Sequence, residues 1–231
     1  MGIILEHILS NFEILLLFFA RISGLLFISP IFGRRNIPAI FKIGLALGLS
    51  YIMVVYYPFP TYTVEITTYI QLVYYVIKEL LIGLIMGYIT LLTFSALLLA
   101  GQLIDTQIGF GVIHVLDPYT NIQVPLVGNF NNALAMIVFF AIDGHHTLIQ
   151  LLFHSFDIIP VGKVKMDLNM AIPIVGMFIK SFVLGLKIAI PIMASAFLSE
   201  VAFGILVKLS PQMNIFVIGI PFKILIGLIM L

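Results

Sequence analysis

The 231-residue chain has no cysteine, which excludes disulfides, thiol nucleophiles and cysteine metal sites. Charge is almost as scarce, since Asp, Glu, Lys and Arg make up 9% of residues and the formal net charge is +1. Arg34-Arg35 is the one adjacent basic pair, so no basic stripe exists for nucleic acid to follow, and nucleic acid is excluded as a partner. There is no GxxxxGK[ST] phosphate cradle and hence no ATPase activity of the chain's own. Nor does a Gly-x-Ser-x-Gly elbow accompany His154, Ser155 and Asp157, so nothing places an oxyanion hole for acyl transfer.

Apolar residues fill the space that these absences leave. Hydrophobic side chains are 62% of the chain and the mean hydropathy is +1.22. A soluble core of this length cannot bury so much apolar surface, whereas lipid or other apolar subunits can cover it. The expected class is an all-α, polytopic membrane-type protein forming one domain over residues 1–231. Residues 14–32 are too long for the apolar region of a cleaved signal, and the chain lacks a signal's basic start and small-residue cleavage site. They are expected to stay as a helix.

Polar and proline-rich breaks divide the rest. Residues 14–32 and 37–57 form a hairpin about the turn Gly33-Arg34-Arg35-Asn36, which the basic pair places on the cytoplasmic side. Seven of the nine tyrosines flank Pro58-Phe59-Pro60-Thr61, as befits a water–lipid boundary. Residues 69–100 exceed one bilayer crossing, and Gly83 and Gly87 within them suit close helix packing. Residues 101–125 read as the main polar interruption. Residues 129–142 and 147–159 are each short for a span and flank Asp143-Gly144-His145-His146, like a re-entrant hairpin or helices buried in protein. A loop over 160–169 leads to an apolar run over 172–209, which Pro191 should kink, and to a last run over 214–231. No polar flank follows Leu231, so the chain reads as truncated or unusually short. Ile77-Lys78-x-x-x-x-Gly83-Leu84 recurs as Ile179-Lys180-x-x-x-x-Gly185-Leu186, either by chance or as paired hairpins.

Arg21, Lys42, Lys78, Glu79, Lys187 and Glu200 lie inside apolar runs, where a charge at the bilayer centre costs roughly 2.5 to 3.5 kcal/mol. Snorkelling accounts for Arg21 and Lys42, but Glu79 and Glu200 have short stems. Lys180 and Lys187, seven residues apart, share a helix face and suit a polar seam against a partner subunit. An alternative reading makes Glu79, Glu200 and Lys187 the coupling site of a secondary transporter.

Asp143, His145, His146 and His154 carry zinc-ligand chemistry, but adjacent histidines on a helix point about 100° apart and the HExxH spacing is absent. The expectation is a connecting turn or an N-terminal cap at Asp143, with no metal and no cofactor. In and just before the Asp105 to Pro118 stretch, glycines at 101, 109 and 111 permit unusual backbone geometry. Phe110, Val112, Ile113 and Val115 argue against a solvated surface loop and for a mechanical element.

At these residues the chain resembles a known family, that of FliR, called SctT in virulence type III secretion. The resemblance rests on Arg21, Pro30 and Ile37-Pro38; on Leu81-Ile82-Gly83-Leu84-x-x-Gly87; and on Ala100-Gly101-Gln102-x-x-Asp105-x-Gln107-x-Gly109. It continues through Leu116-Asp117-Pro118, Gly144-His145, Ser155-Phe156-x-x-x-Pro160-x-Gly162 and Gly185-Leu186-x-x-Ala189-x-Pro191. It ends in Ser210-Pro211-Gln212-x-Asn214-x-Phe216-x-x-Gly219-x-Pro221. Lys208 stands where an arginine is usual, and Asp143 where asparagine or glycine is common. The resemblance also implies a C-terminal segment beyond Leu231.

The resemblance implies a non-enzymatic channel subunit of the export gate in the bacterial inner membrane, at the flagellar basal body. Its kinked helical hairpins would assemble with FliP-like and FliQ-like subunits into a multi-subunit ring in membrane lipid, with an FlhB-like subunit attached and unfolded proteins in transit. The pore plug would fall on Gly109, Phe110, Gly111, Val112, Ile113, His114, Val115, Leu116, Asp117 and Pro118. Arg21, Lys78, Glu79, Asp105, Lys180, Lys187 and Glu200 would be subunit-contact charges.

Overall fold

In the computed structural model, the described residues are 12–34, 36–56, 68–110, 125–163, 171–210 and 215–231. They form seven α-helices and, among the described residues, no strand. These are α1 (Phe12–Ile28), α2 (Ala39–Tyr56), α3 (Tyr69–Ile108), α4 (Leu126–Ala141), α5 (Gly144–Ile158), α6 (Ala171–Leu209) and α7 (Ile215–Met230). A helix bonds its backbone polar groups internally, which is what an apolar surrounding demands. By length and composition α2, α3 and α6 can each cross a membrane, and α4 with α5 qualifies as a broken pair. The chain is therefore an all-α polytopic membrane protein. At about 1.5 Å per residue the 40 residues of α3 reach about 60 Å, twice the ~30 Å of a hydrocarbon layer.

The helices divide between two compact units. The first, Met1–Leu92 with Phe139–Val175, contains α1, α2, the start of α3 and α5. Its buried side chains include Leu17, Phe18, Ile22, Leu25, Met53, Leu152 and Phe156. The second, Thr93–Val138 with Gly176–Leu231, takes the rest of α3, most of α4 and α6, and α7. There Ala100, Ile104, Ile108, Val127, Ala189 and Ile192 form a core.

Two expectations about local structure change. The stretch from Gly101 was read as the start of a polar interruption, yet α3 runs on to Ile108. Its polar residues fit a helix because Gly101 gives room to another helix, Thr106 bonds back to the Leu103 carbonyl, and Asp105 is turned inward at 6% exposure. Asp143 does precede α5, but its side chain makes no cap hydrogen bond. The Asp143 backbone carbonyl instead accepts from His146 and Thr147 N–H.

Candidate functional sites

In the first unit α1 crosses α3 at backbone distance, because glycines face each other. A Cβ on Gly24 would stand 2.7 Å from the Leu80 carbonyl oxygen, and one on Gly87 would stand 2.9 Å from that of Leu25. A Cβ on Gly83 would collide with the Arg21 carbonyl. Glu79 is about one helical turn before Gly83, so the crossing brings its carboxylate to the Arg21 side chain. Arg21 Nε donates to Glu79 Oε2 at 2.6 Å, with both side chains 0% exposed.

The remaining valences of the pair are met by the end of α5 and the turn that follows. Arg21 Nη1 donates to the Ser155 carbonyl at 3.0 Å and to Ser155 Oγ at 3.3 Å, and Nη2 donates to the Ile159 carbonyl at 3.0 Å. These carbonyls lie at the C-terminus of α5, where the Ser155 oxygen also accepts from Ile159 N–H at 2.9 Å and the helix end attracts positive charge. Glu79 Oε1 accepts from Gly162 N–H at 3.0 Å, in a turn where Gly162 has φ 75° and Lys163 N–H bonds to the Pro160 carbonyl. Phe156 lies under the guanidinium, 4.2 Å from its ring centroid, and meets Phe18 edge to face at 4.8 Å. One buried ion pair thus ties α1, α3, the end of α5 and the 160–163 turn into a single polar core.

The second unit has a smaller polar joint. Asp105 Oδ1 and Oδ2 accept from Val127 N–H at 3.1 and 3.2 Å, placing a carboxylate at the N-terminus of α4. Gly101 and Gly128 meet there without space for a Cβ on Gly101. Four residues after Asp105, Gly109 ends α3 at φ 103°, and Phe110 N–H bonds to the Asp105 carbonyl at 3.1 Å, a Schellman-type stop. Of the residues expected to plug a pore, Gly109 and Phe110 are described, and residues 111–118 lie outside the described residues.

The other charges sort by environment. Snorkelling does not describe Lys42, which is 8% exposed and donates from Nζ to the Arg34 carbonyl at 3.0 Å. Arg21, wholly buried, does not snorkel either. Lys78 Nζ stands 4.1 Å from the Tyr74 ring centroid. Glu200, exposed on α6, pairs with Lys223 of α7 at 3.1 Å. Arg21, Glu79, Asp105 and Glu200 therefore find partners within the chain, and their charge alone no longer demands another subunit. Glu79 has each oxygen engaged once, Oε2 by Arg21 and Oε1 by Gly162 N–H. Lys180 and Lys187 are exposed on α6 beside exposed Ile179, Phe182, Val183 and Ile190. The structure also draws Asp143, His145 and His146 together, against the expectation from helical spacing, with one ligand atom from each lying within 4.8 Å of the others. His154 is apart from them, beside Asp157 at 3.4 Å.

The family described as "Bacterial export proteins, family 1" matches residues 12–231. The chain is 35% identical over 230 residues to the flagellar biosynthetic protein FliR of Bacillus subtilis, covering 98% of this chain and 88% of that one. It is 32% identical to the FliR of Aquifex aeolicus, over 94% and 83% of the two chains. With the FliR of Escherichia coli the identity is 27%, over 90% and 78%. The chain belongs to this FliR family of export proteins. These relatives are named as flagellar biosynthetic proteins.

Several sequence elements that carried the resemblance to the FliR family take physical meaning from the polar cores. Arg21 and Gly83 build the α1–α3 crossing, and Ser155, Phe156, Pro160 and Gly162 build the receptor for the Arg21–Glu79 pair. Gly101, Asp105 and Gly109 form the joint of the second unit. What the residue pattern did not reveal are the backbone partners, namely the Ser155 and Ile159 carbonyls and the Gly162 and Val127 N–H groups. A signal was present in the opposite signs of Arg21 and Glu79 on two apolar runs.

Proposed function

We propose that this chain is a channel subunit of the type III protein export gate in the bacterial inner membrane, serving flagellar assembly. It joins FliP-like and FliQ-like subunits in one ring, with an FlhB-like subunit attached, around a gated pore for unfolded proteins. The observation that carries this reading is the unbroken likeness over residues 12–231 to proteins named for flagellar biosynthesis. The outward faces of the helices support it, because Phe41, Ile52, Phe178, Phe182 and Ile190 are exposed, as suits lipid or apolar neighbours.

In this reading Lys180 and Lys187 meet carboxylates of a neighbouring subunit, since two cations on an apolar helix face are costly in lipid. The segment that begins at Gly109 closes the pore at rest. The chain contributes no catalysis, and the energy for export comes from its partners. Affinity purification in mild detergent, followed by identification of the co-purified subunits, tests the proposal. Recovery of FliP-like and FliQ-like chains is expected, and a lone monomer would count heavily against it.

A further inference from the structure

We propose that Asp143, His145 and His146 form a binding site for a divalent first-row transition ion of the zinc type, at the turn between α4 and α5. Two independent observations carry this. Donor atoms from two imidazoles and one carboxylate converge, all within 4.8 Å of one another. His145 Nδ1 is, among the described residues, the one buried side-chain nitrogen or oxygen without a hydrogen-bond partner. Buried polar atoms are nearly always satisfied, so an orphan nitrogen on a ring that already belongs to the cluster points to a missing ligand.

The surroundings hold the rings in place. The Phe139 ring occupies the space where a Cβ on Gly144 would sit, and Phe140 packs on His145 with ring centroids 5.4 Å apart. His145 and His146 then lie ring to ring at 4.1 Å and 38°. Asp143 Oδ1 stands 3.5 Å from His146 Nδ1. Helical spacing predicted divergence, but the two rings tilt towards each other across the first turn of α5, and Asp143 lies just outside the helix.

The donor set selects the ion. Imidazole nitrogen with one carboxylate suits zinc and its neighbours in the first row, whereas calcium and magnesium favour all-oxygen shells. Tetrahedral zinc with bonds of about 2.0–2.2 Å places its donors about 3.4 Å apart, so the cluster must contract by about 1.4 Å at its widest. Asp143 and His146 can supply that movement, because their side chains are 72% and 65% exposed. Three protein ligands leave a fourth position to water, the pattern of an open and exchangeable site. The N-terminal dipole of α5 opposes a cation, and the Asp143 carboxylate offsets it. Occupied, the site fastens the α4–α5 turn to the first turn of α5. This proposal does not depend on the export reading.

The test uses the full chain, purified in detergent without a histidine tag and titrated with zinc against a chromophoric chelator. One saturable equivalent per chain is expected. His146→Ala and Asp143→Ala should each weaken binding at least tenfold while His154→Ala leaves it unchanged, and millimolar magnesium or calcium should not compete. Cobalt should give visible d–d bands that the His146→Ala variant loses. Because both substituted side chains are exposed, the variants should fold, and thermal unfolding without zinc checks this. Absence of stoichiometric binding, or equal binding by wild type and the Asp143→Ala/His146→Ala double variant, would overturn the proposal.

Discussion

Gly83 of α3 faces the main-chain carbonyl of Arg21 so closely that no Cβ fits between them. That contact sets the separation of α1 and α3 at the level of the buried ion pair. Gly83→Ala should push the two helices apart and destabilise the isolated chain in detergent by about 1–3 kcal/mol, as overpacking does. Gly48, on α2, has nothing within 4 Å of a built Cβ, so Gly48→Ala should instead gain about 0.5–1 kcal/mol from helix propensity. Thermal unfolding of both variants decides the matter. If Gly83→Ala melts no lower than Gly48→Ala, the crossing is not tight.

Removing one member of the Arg21–Glu79 pair leaves the other charge buried without its counter-ion. Glu79→Leu or Arg21→Met alone should cost about 3–5 kcal/mol. The double variant should recover a large part of the loss, because a well-packed apolar replacement of a buried pair is often neutral or better. Arg21 also holds the Ser155 and Ile159 carbonyls, so recovery should be incomplete. A double-mutant cycle measured by unfolding in detergent reads the coupling directly. Strictly additive losses would show that the pair is not a unit.

The elements themselves were legible in the sequence, since in lipid an apolar run between polar breaks has little choice but to be a helix. The seven helix positions follow from those breaks. The failures have a common cause. Composition treats Asp105 as a polar residue that ends a helix, whereas its carboxylate turns inward to the backbone of α4. Likewise Arg21 and Lys42 read as chains reaching for water, although each ends on a carbonyl inside its unit. A single sequence shows which side chains carry charge, but main-chain acceptors have no letter of their own. The His145–His146 stacking was hidden for a related reason, as ideal helical angles ignore how rings tilt at a helix start.

Asp105→Ala should remove the acceptor at the start of α4 and cost about 0.5–2 kcal/mol, the range of a lost N-terminal cap. Asp105→Asn keeps one oxygen and should lose less. Hydrogen exchange at the Val127 amide is the local readout, and it should quicken more in Asp105→Ala than in Asp105→Asn. Unchanged exchange in both would mean that the bond does not hold α4.

If Lys180 and Lys187 pair with carboxylates of another subunit, charge reversal should weaken assembly and spare the chain. The Lys180→Glu/Lys187→Glu variant is expected to keep the wild-type unfolding temperature and to co-purify with far less FliP-like or FliQ-like partner. Lys163→Glu, at an exposed residue that ends the 160–163 turn, serves as the control and should leave recovery unchanged. Equal recovery from all three proteins would remove these lysines from the interface.

The plug reading makes a prediction that separates loop from stem. Deleting Gly109–Gly111 shortens the segment by three residues and should leave assembly intact while making the membrane leaky to small ions. Gly109 has φ 103°, so Gly109→Ala strains the end of α3 by about 1 kcal/mol but keeps the full length. That variant should stay closed. Ion flux in cells expressing the assembled gate is the measurement. Permeability that is unchanged in the deletion would sink the plug assignment, and equal leakage in both variants would assign the closure to the Asp105–Gly109 stem instead.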